Sequence, residues 1–216
     1  MDLKQEKILG GIGAILTLFF IIPVIGWIIS IVGLILIAIS VKGLSDKLNE
    51  KLIFTNYLTS IIFFFLSVFT LIGTCFLTMF KIIKNLPEKF NSDFFNFGYR
   101  FDFFTHRRLF RDYPEMGPKL KEFLSSLDGK LWILLLIIAI VWILLILGGI
   151  FKKVSFDKLS EKIRIDEFKI SGFFVFLGAI LVPLFGVGII LMLIGVIFEI
   201  ISFFSIKDKF EPSKSS

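Results

Sequence analysis

The sequence contains little cysteine, histidine and charge, and each shortage excludes a class of protein. One cysteine in 216 residues excludes an internal disulfide, and one cysteine with one histidine leaves no ligand set for zinc or an iron–sulfur cluster. Only 19% of the residues are charged, against about 25% in soluble domains. Hydrophobic residues make up 56% of the chain, and 29 residues are phenylalanine. The composition therefore indicates an integral membrane protein, and we expect no metal and no cofactor.

The net charge of +6 raises nucleic acid as a partner. The basic residues, however, lie in short blocks between apolar runs, which is typical of charge that flanks membrane spans. We therefore expect membrane lipid as the partner and no nucleic acid. The sequence specifies neither a protein partner nor an oligomeric state.

Two runs without a charged residue are long for a single membrane crossing. The first covers 34 positions, residues 8–41, and as one helix it would measure about 51 Å against a hydrocarbon core of roughly 30 Å. Pro23 and Gly26 lie near its middle, and Pro183 lies near the middle of the second run, 170–198. Because proline removes a helical donor and glycine permits a turn, each run is predicted to fold back as a hairpin of two short spans.

Two simpler spans, at about 57–80 and 131–151, lie between these runs. The total is six spans, and the alternative is four, with each long run crossing as one helix. We predict an all-α, polytopic helical membrane protein with about six transmembrane helices. Its two short hairpins are broken by proline and glycine, and it carries an amphipathic, Phe-rich extracytoplasmic loop.

The predicted spans divide the chain into four parts. Residues 1–80 form a membrane hairpin and the third span, and residues 81–130 form the Phe-rich loop. Residues 131–208 form the fourth span and the second hairpin, and residues 209–216 form a cytoplasmic tail.

The distribution of lysine and arginine predicts the orientation, because basic residues are enriched in cytoplasmic segments. With six spans, the side that carries both termini has 14 Lys/Arg and the other side has 10. The four-span alternative moves two linkers across the membrane and gives 9 against 15. The six-span prediction thus places both termini in the cytoplasm of a multi-pass protein of the cell membrane.

The two ends of the chain resemble each other. Residues 7–46 align without gaps to 169–208, with ten identities in forty positions, and residues 46–52 match 157–163 at five of seven positions. The pattern suggests an internal repeat. Such duplication is common in transporters but also occurs in proteins that transport nothing. The two seven-residue segments also predict short surface helices in the cytoplasm.

Three membrane segments carry a resemblance to a known family. They are KILGGIGAIL from Lys7, IPVIGWIISIVG from Ile22, and the stretch from Phe168 through Gly178 to Ile206. These segments resemble an archaeal multi-pass membrane family known as domain of unknown function nine hundred and ninety-six. The resemblance covers about 1–80 and 131–208 and does not include the loop. It implies an archaeal cell membrane and supplies no activity.

Glu199 is the one charged residue inside an apolar span. At 100° per residue it projects from the same helical face as Gly188, Gly195 and Ser202, so we expect it to point into the bundle. Because a carboxylate inside a membrane is costly, two interpretations are open. Glu199 is a hydrogen-bonded carboxyl near the cytoplasmic boundary, or it is a proton- or cation-handling residue that faces a stripe of hydroxyls.

That stripe lies on the third span, within about 80° of arc on a helix. It consists of Ser60, Ser67, Thr70, Thr74 and Thr78. Such hydroxyls can bond to carbonyls of their own helix or of a neighbour. The stripe is interpreted as a packing face, and the alternative is a polar lining for water or solute.

The loop combines aromatic and basic residues in a way that leaves its structure open. Phenylalanines in 90–104 follow helical spacing, but residues 95–103 also alternate as in a strand. An interfacial amphipathic helix is slightly favoured. Arg107, Arg108 and Arg111 are candidates for contacts with lipid phosphates.

The sequence lacks a set of catalytic residues, with one histidine, one cysteine and no paired acids inside the spans. We therefore expect a protein that is not an enzyme, most consistent with a structural, regulatory or partner-binding bundle. The alternative is a small transporter, or a proton or cation pathway, that uses Glu199 and the Ser/Thr face of the third span.

Overall fold

The computed structural model describes residues 3–22, 24–85, 131–184 and 186–208. Within these ranges the chain forms six α-helices and no strand. They are α1 (Lys4–Thr17), α2 (Ile25–Lys47), α3 (Lys51–Asn85), α4 (Leu131–Ile163), α5 (Asp166–Leu181) and α6 (Val187–Ser205), with a 3-10 helix at Leu18–Ile21. The all-helical prediction is confirmed for the described residues. The predictions for the Phe-rich loop lie outside them.

Four of these helices, α2, α3, α4 and α6, are long and apolar enough to cross a membrane. The longest is α3, whose 35 residues correspond to about 52 Å. By contrast, the 14 residues of α1 reach only about 21 Å, and its 3-10 extension of four residues adds about 8 Å. The lengths and composition fit a membrane protein.

The contacts divide the chain into two compact units. The larger unit comprises Met1–Ser67 and Trp142–Ser216, and the smaller unit comprises Val68–Val141. The larger unit thus contains α1, α2, α5 and α6 with parts of α3 and α4. In the described part of the smaller unit, large apolar side chains such as Phe69 and Trp132 are mostly exposed, as expected for surfaces that face lipid.

The first long apolar run breaks near its middle, as predicted. After the 3-10 helix, Ile22 takes extended backbone torsions (φ −84°, ψ 118°), because the residue before a proline is disfavoured in the helical region. The chain then turns through Val24, which has a positive φ of 66°, and α2 begins at Ile25. A single continuous helix over this run is thereby excluded.

Helices α1 and α2 pack antiparallel and form the first hairpin. At one end the Ser40 hydroxyl donates to the Glu6 carbonyl at 2.7 Å. Nearer the break, the two backbones touch at glycine, since a Cβ added at Gly33 would lie 2.6 Å from the Gly13 carbonyl oxygen. Small residues permit this approach, which a larger side chain would block.

Helices α5 and α6 form the second hairpin in the same way. The break lies between Leu181 and Val187, and Gly186 there has a left-handed φ of 87°, which glycine adopts without steric cost. The backbones again touch at glycine, because a Cβ added at Gly178 would lie 2.7 Å from the Gly188 carbonyl oxygen. Each long apolar run therefore folds into an antiparallel pair of helices.

The centre of the larger unit is a row of aromatic rings from four helices. Tyr57 of α3 stacks on Phe156 of α4 with ring centroids 5.9 Å apart. Phe156 meets Phe168 of α5 edge-on at 5.3 Å, and Phe168 meets Phe203 of α6 edge-on at 5.1 Å. Gly10 of α1 lies against the Phe203 ring, with no room for a Cβ. The two hairpins, α3 and α4 thus share one core.

One end of the larger unit carries a backbone link and several ion pairs. The Leu3 N–H donates to the Asp208 carbonyl at 2.9 Å. Glu50, in the turn between α2 and α3, lies 3.9 Å from Lys158 and 3.6 Å from Lys162 of α4. This charged end therefore includes Leu3 and Asp208, the α2–α3 turn and the end of α4. Such a grouping fits helices that run antiparallel to one another.

Two helices are longer than the spans predicted within them. The predicted spans are about 57–80 and 131–151, whereas α3 covers Lys51–Asn85 and α4 covers Leu131–Ile163. The predicted surface helices are also absent: residues 46–52 include the turn between α2 and α3, and residues 157–163 are the last turns of α4. The segment 152–163 has no proline or glycine, so nothing in it interrupts the helix.

Replacing Gly33 by alanine is expected to destabilise the first hairpin, because the added methyl group would overlap the Gly13 carbonyl. Overpacking of this kind costs about 1–3 kcal/mol, or roughly 2–4 °C of unfolding midpoint for each kcal/mol. Gly73→Ala on α3 is the matched control, since nothing lies within 4 Å of its added Cβ. Thermal unfolding in detergent measures both, and an unchanged midpoint for Gly33→Ala would contradict the backbone contact.

Candidate functional site

Glu199 lies on the buried face of α6, near the charged end of the larger unit. Gly188, Gly195 and Ser202 share this face and are also buried. The Glu199 side chain is only 1% exposed. The helical periodicity indicated this orientation, and the role of the residue stays a prediction.

Lys152 of α4 forms an ion pair with Glu199. The Lys152 Nζ lies 2.7 Å from the Glu199 Oε2, and it also lies 5.2 Å from the centre of the Phe156 ring. The Lys152 side chain is 14% exposed. Both charges are largely removed from water, so their mutual attraction and the contact with the ring must offset a large desolvation cost.

Sequence reasoning missed Lys152, which it counted as one of the flanking charges that set the orientation. The two paired residues are 47 positions apart and lie on different helices. Periodicity gives the face of each helix but does not say which faces meet. No local signal in the sequence could have identified this partner.

Tyr57 of α3 contributes a buried hydroxyl to the same region. Its ring stacks on Phe156, and its side chain is 1% exposed. The hydroxyl has no hydrogen-bond partner among the described residues. The Phe156 ring on which Tyr57 stacks lies 5.2 Å from the Lys152 ammonium that pairs with Glu199. The sequence analysis did not single out Tyr57.

Ser171 of α5 lies on the same side of α6 as Glu199. A Cβ added at Gly195 would lie 3.1 Å from the Ser171 carbonyl oxygen and 3.1 Å from the Val175 amide nitrogen. Gly195 therefore lies against Val175. Because the helices are antiparallel, one turn back from Val175 and one turn forward from Gly195 set Ser171 opposite Glu199. The Ser171 hydroxyl is buried without a hydrogen-bond partner in the described part of the chain.

The hydroxyl stripe of α3 is bonded mostly to its own helix. The Ser67 hydroxyl donates to the Phe64 carbonyl at 2.7 Å. The hydroxyls of Thr74 and Thr78 each donate at 2.8 Å to the carbonyl one turn earlier, which for Thr74 belongs to Thr70. Ser60 is buried, and the three threonines are half-buried. These bonds are of the kind that hydroxyls make in membrane helices whatever their function.

A second acid, which the sequence analysis did not single out, is buried in the first hairpin. The Glu6 side chain is 8% exposed, and its Oε2 lies 2.6 Å from the Lys47 Nζ. Glu6 also lies against Gly43, where an added Cβ would be 2.8 Å from its Oε1. Its position in the first turn of α1 is also favourable for an acid, because of the helix dipole.

The other predicted site residues lie outside this region. Arg107, Arg108 and Arg111 are not among the described residues. Across 3–22, 24–85, 131–184 and 186–208, no group of three or more His, Cys, Asp or Glu residues could hold a metal ion. Cys75 on α3 is exposed and free.

The described residues form an all-helical fold in which four helices are long and apolar enough to cross a membrane. This defines the class of the protein. Residues 29–197 match the family described as "Protein of unknown function (DUF996)", and the chain belongs to this family. The matched range includes the loop, which the sequence motifs alone did not connect to the family.

The chain is also similar to "Uncharacterized protein MJ1644" of Methanocaldococcus jannaschii. The two are 28% identical over 208 residues, which cover 96% of this chain and 95% of that protein. This relative is archaeal, as the resemblance implied. No solved structure matches the chain.

Replacing Lys152 by methionine is expected to destabilise the protein strongly, because it leaves the Glu199 carboxylate buried without a counter-charge. Breaking a buried pair in this way costs about 3–5 kcal/mol. The double variant Lys152→Met/Glu199→Gln removes both charges and should recover most of this loss. Unfolding midpoints of the detergent-purified variants measure the effect.

Lys162→Met is the matched control for the Lys152→Met variant. Its ion pair with Glu50 spans 3.6 Å, and the lysine side chain is 50% exposed, so the substitution should cost less than about 1 kcal/mol. Equal losses at Lys152 and Lys162 would be evidence against a desolvated pair in the core.

Proposed function

We propose that this protein is a six-span protein of the cell membrane, with both termini in the cytoplasm, and that its role is structural, regulatory or partner-binding and not enzymatic. The folding of both long apolar runs into antiparallel hairpins supports six crossings. With its 3-10 extension, α1 reaches about 29 Å, and the 16 residues of α5 reach about 24 Å. Slight local thinning of the bilayer accommodates spans of this length.

The neutralisation of Glu199 by Lys152 carries the functional part of the proposal. An acid that attracts a passing cation must offer uncompensated negative charge, whereas an ammonium lies 2.7 Å from the Glu199 carboxylate. The hydroxyls of Ser67, Thr74 and Thr78 are bonded to α3 itself and so are less available to replace the water shell of a solute. Both features support a packed bundle over a solute pathway.

The surface supports lipid as the partner. Large apolar side chains are exposed along the helices, for example Trp27 at 56% and Ile28 at 65%, and exposed apolar area on this scale favours a membrane environment. The charged end carries the basic residues that the orientation rule assigns to the cytoplasm. Arg107, Arg108 and Arg111 are proposed to contact lipid phosphates on the opposite side.

We also propose that the two hairpins arose by internal duplication, followed by a slip of one helical turn. Gly33 lies against Thr17, whereas its aligned counterpart Gly195 lies against Val175 and not against Ala179, the counterpart of Thr17. The presence of glycine contacts in both hairpins, although at positions that do not align, and the sequence alignment support the duplication. The slip accounts for the different partners of aligned residues.

The topology predicts which positions react on each side of the membrane. In a Cys75→Ser background, single cysteines at Gln5 and Asn49 should react with a membrane-impermeant maleimide only after the cells are opened. Cysteines at Ile22 and Leu184, in the two breaks, should react in intact cells. All four side chains are exposed. Reaction of Gln5 and Asn49 from opposite sides would contradict six spans.

One observation favours a proton or cation pathway as a second candidate, since the Glu199 Oε1 and the Tyr57 hydroxyl are buried without hydrogen-bond partners. The proposed bundle predicts that proteoliposomes show no proton or cation flux above that of empty liposomes. Flux that is lost in Glu199→Gln at equal protein amount would favour the pathway. Glu6→Gln is the matched control, because Glu6 is the other acid buried in an ion pair.

A further inference from the structure

We propose that Tyr57, Ser171 and Glu199 form a closed binding site for one water molecule between α3, α5 and α6. The inference rests on buried polar atoms that other protein groups do not satisfy. It does not depend on the role proposed above, since a water can occupy this place in a bundle or in a pathway.

Three buried oxygens in this region have no hydrogen-bond partner within the described part of the chain. They are the Tyr57 Oη, the Ser171 Oγ and the Glu199 Oε1, and the three side chains are each at most 1% exposed. Buried polar atoms in native proteins are nearly always hydrogen-bonded, to protein or to ordered water. Three unsatisfied oxygens among packed apolar side chains therefore indicate a missing small partner.

The packing places the three side chains in one region. Tyr57 stacks on Phe156, whose ring lies 5.2 Å from the Lys152 ammonium, and that ammonium pairs with Glu199. The Tyr57 hydroxyl and the Glu199 Oε1 nevertheless share no hydrogen bond. The register of α5 and α6, given by the contact of Val175 with Gly195, places Ser171 opposite Glu199. A water molecule bridges polar groups that are too far apart for a direct bond.

The chemistry of the three groups favours water over a cation. The carboxylate oxygen only accepts hydrogen bonds, whereas the two hydroxyls donate and accept, so a water can bond to all three at once. A metal cation would add a positive charge beside Lys152, whose Nζ already lies 2.7 Å from the other oxygen of Glu199. An extra unpaired charge in a low-dielectric interior is strongly unfavourable.

The first hairpin offers a comparison. Ile37 occupies the aligned position of Glu199 and is 1% exposed, so its helix needs no polar partner there. The water site thus belongs to the second hairpin with α3, where it completes the hydrogen bonds around the ion pair and links three helices through one molecule.

Removing each hydroxyl tests the site, because the sign of the change in unfolding midpoint depends on whether a water is bound. If a water is bound, Tyr57→Phe and Ser171→Ala each remove one of its partners, and each should lower the unfolding midpoint of the full chain in detergent by about 2–4 °C. The double variant should lose little more than either single variant, because both act through the same molecule. If the site is dry, each deletion removes an unsatisfied hydroxyl and raises the midpoint, which would overturn the proposal.

Ser67→Ala is the matched control. Ser67 is buried, and its hydroxyl is bonded within α3, so its effect should add to that of Tyr57→Phe without coupling. Coupling of the same size at Ser67 would count against a shared water.

A direct measurement complements the unfolding series. A high-resolution structure of the full chain should contain a density peak within hydrogen-bonding distance of the Tyr57 Oη, Ser171 Oγ and Glu199 Oε1, and the peak should be absent in Tyr57→Phe/Ser171→Ala. Unfolding in sodium, potassium and choline chloride at equal ionic strength separates water from a cation. Equal midpoints support water, and an increase specific to sodium or potassium that disappears in Glu199→Gln would overturn the proposal.

Discussion

The close approach of two helix backbones at glycine is the constraint on which the rest of this structure depends. In the membrane proposed for this protein, the acyl chains are as apolar as leucine, so helix association has no hydrophobic driving force and relies on packing and hydrogen bonds. Gly13 against Gly33 and Gly178 against Gly188 supply that packing in the two hairpins. Each hairpin also requires a break, which the chain provides beside a proline. Without both features the long apolar runs would have no reason to fold back.

A core packed this closely restricts how charge can enter it. Two acids are buried among the residues that the structure describes, Glu6 and Glu199, and each lies within 2.7 Å of a lysine. The lysines are the more exposed partners in both pairs, as expected for long side chains whose stems lie along apolar surface and whose ammonium groups reach towards water. The pairs therefore mark where the apolar interior of the larger unit gives way to its charged end. The Lys152–Glu199 pair also joins α4 and α6, between which no glycine contact is described.

The sequence predicted those features that are local or periodic. Breaks near Pro23 and Pro183 follow from the backbone limits of proline, and the buried face of Glu199 follows from helical spacing. The full lengths of α3 and α4 were not predicted, because charged residues were interpreted as the ends of the spans. A charge ends the favourable contact with hydrocarbon, but a helix continues until its backbone is interrupted. Lys152 and Tyr57 could not be assigned to the site, since tertiary packing alone decides which helix faces meet.

Comparison of the two hairpins indicates that packing by itself does not require the Lys152–Glu199 ion pair. Ile37, at the aligned position of Glu199, is buried as completely, and a hydrophobic residue in place of a buried ion pair is often neutral or stabilising. The second hairpin nevertheless carries the cost of a buried charge, together with the unsatisfied hydroxyls of Tyr57 and Ser171. A group that is expensive to bury and replaceable for packing is best explained by what it binds. The region around Glu199 is therefore where the two hairpins differ most, while the glycine contacts account for the shape that they share.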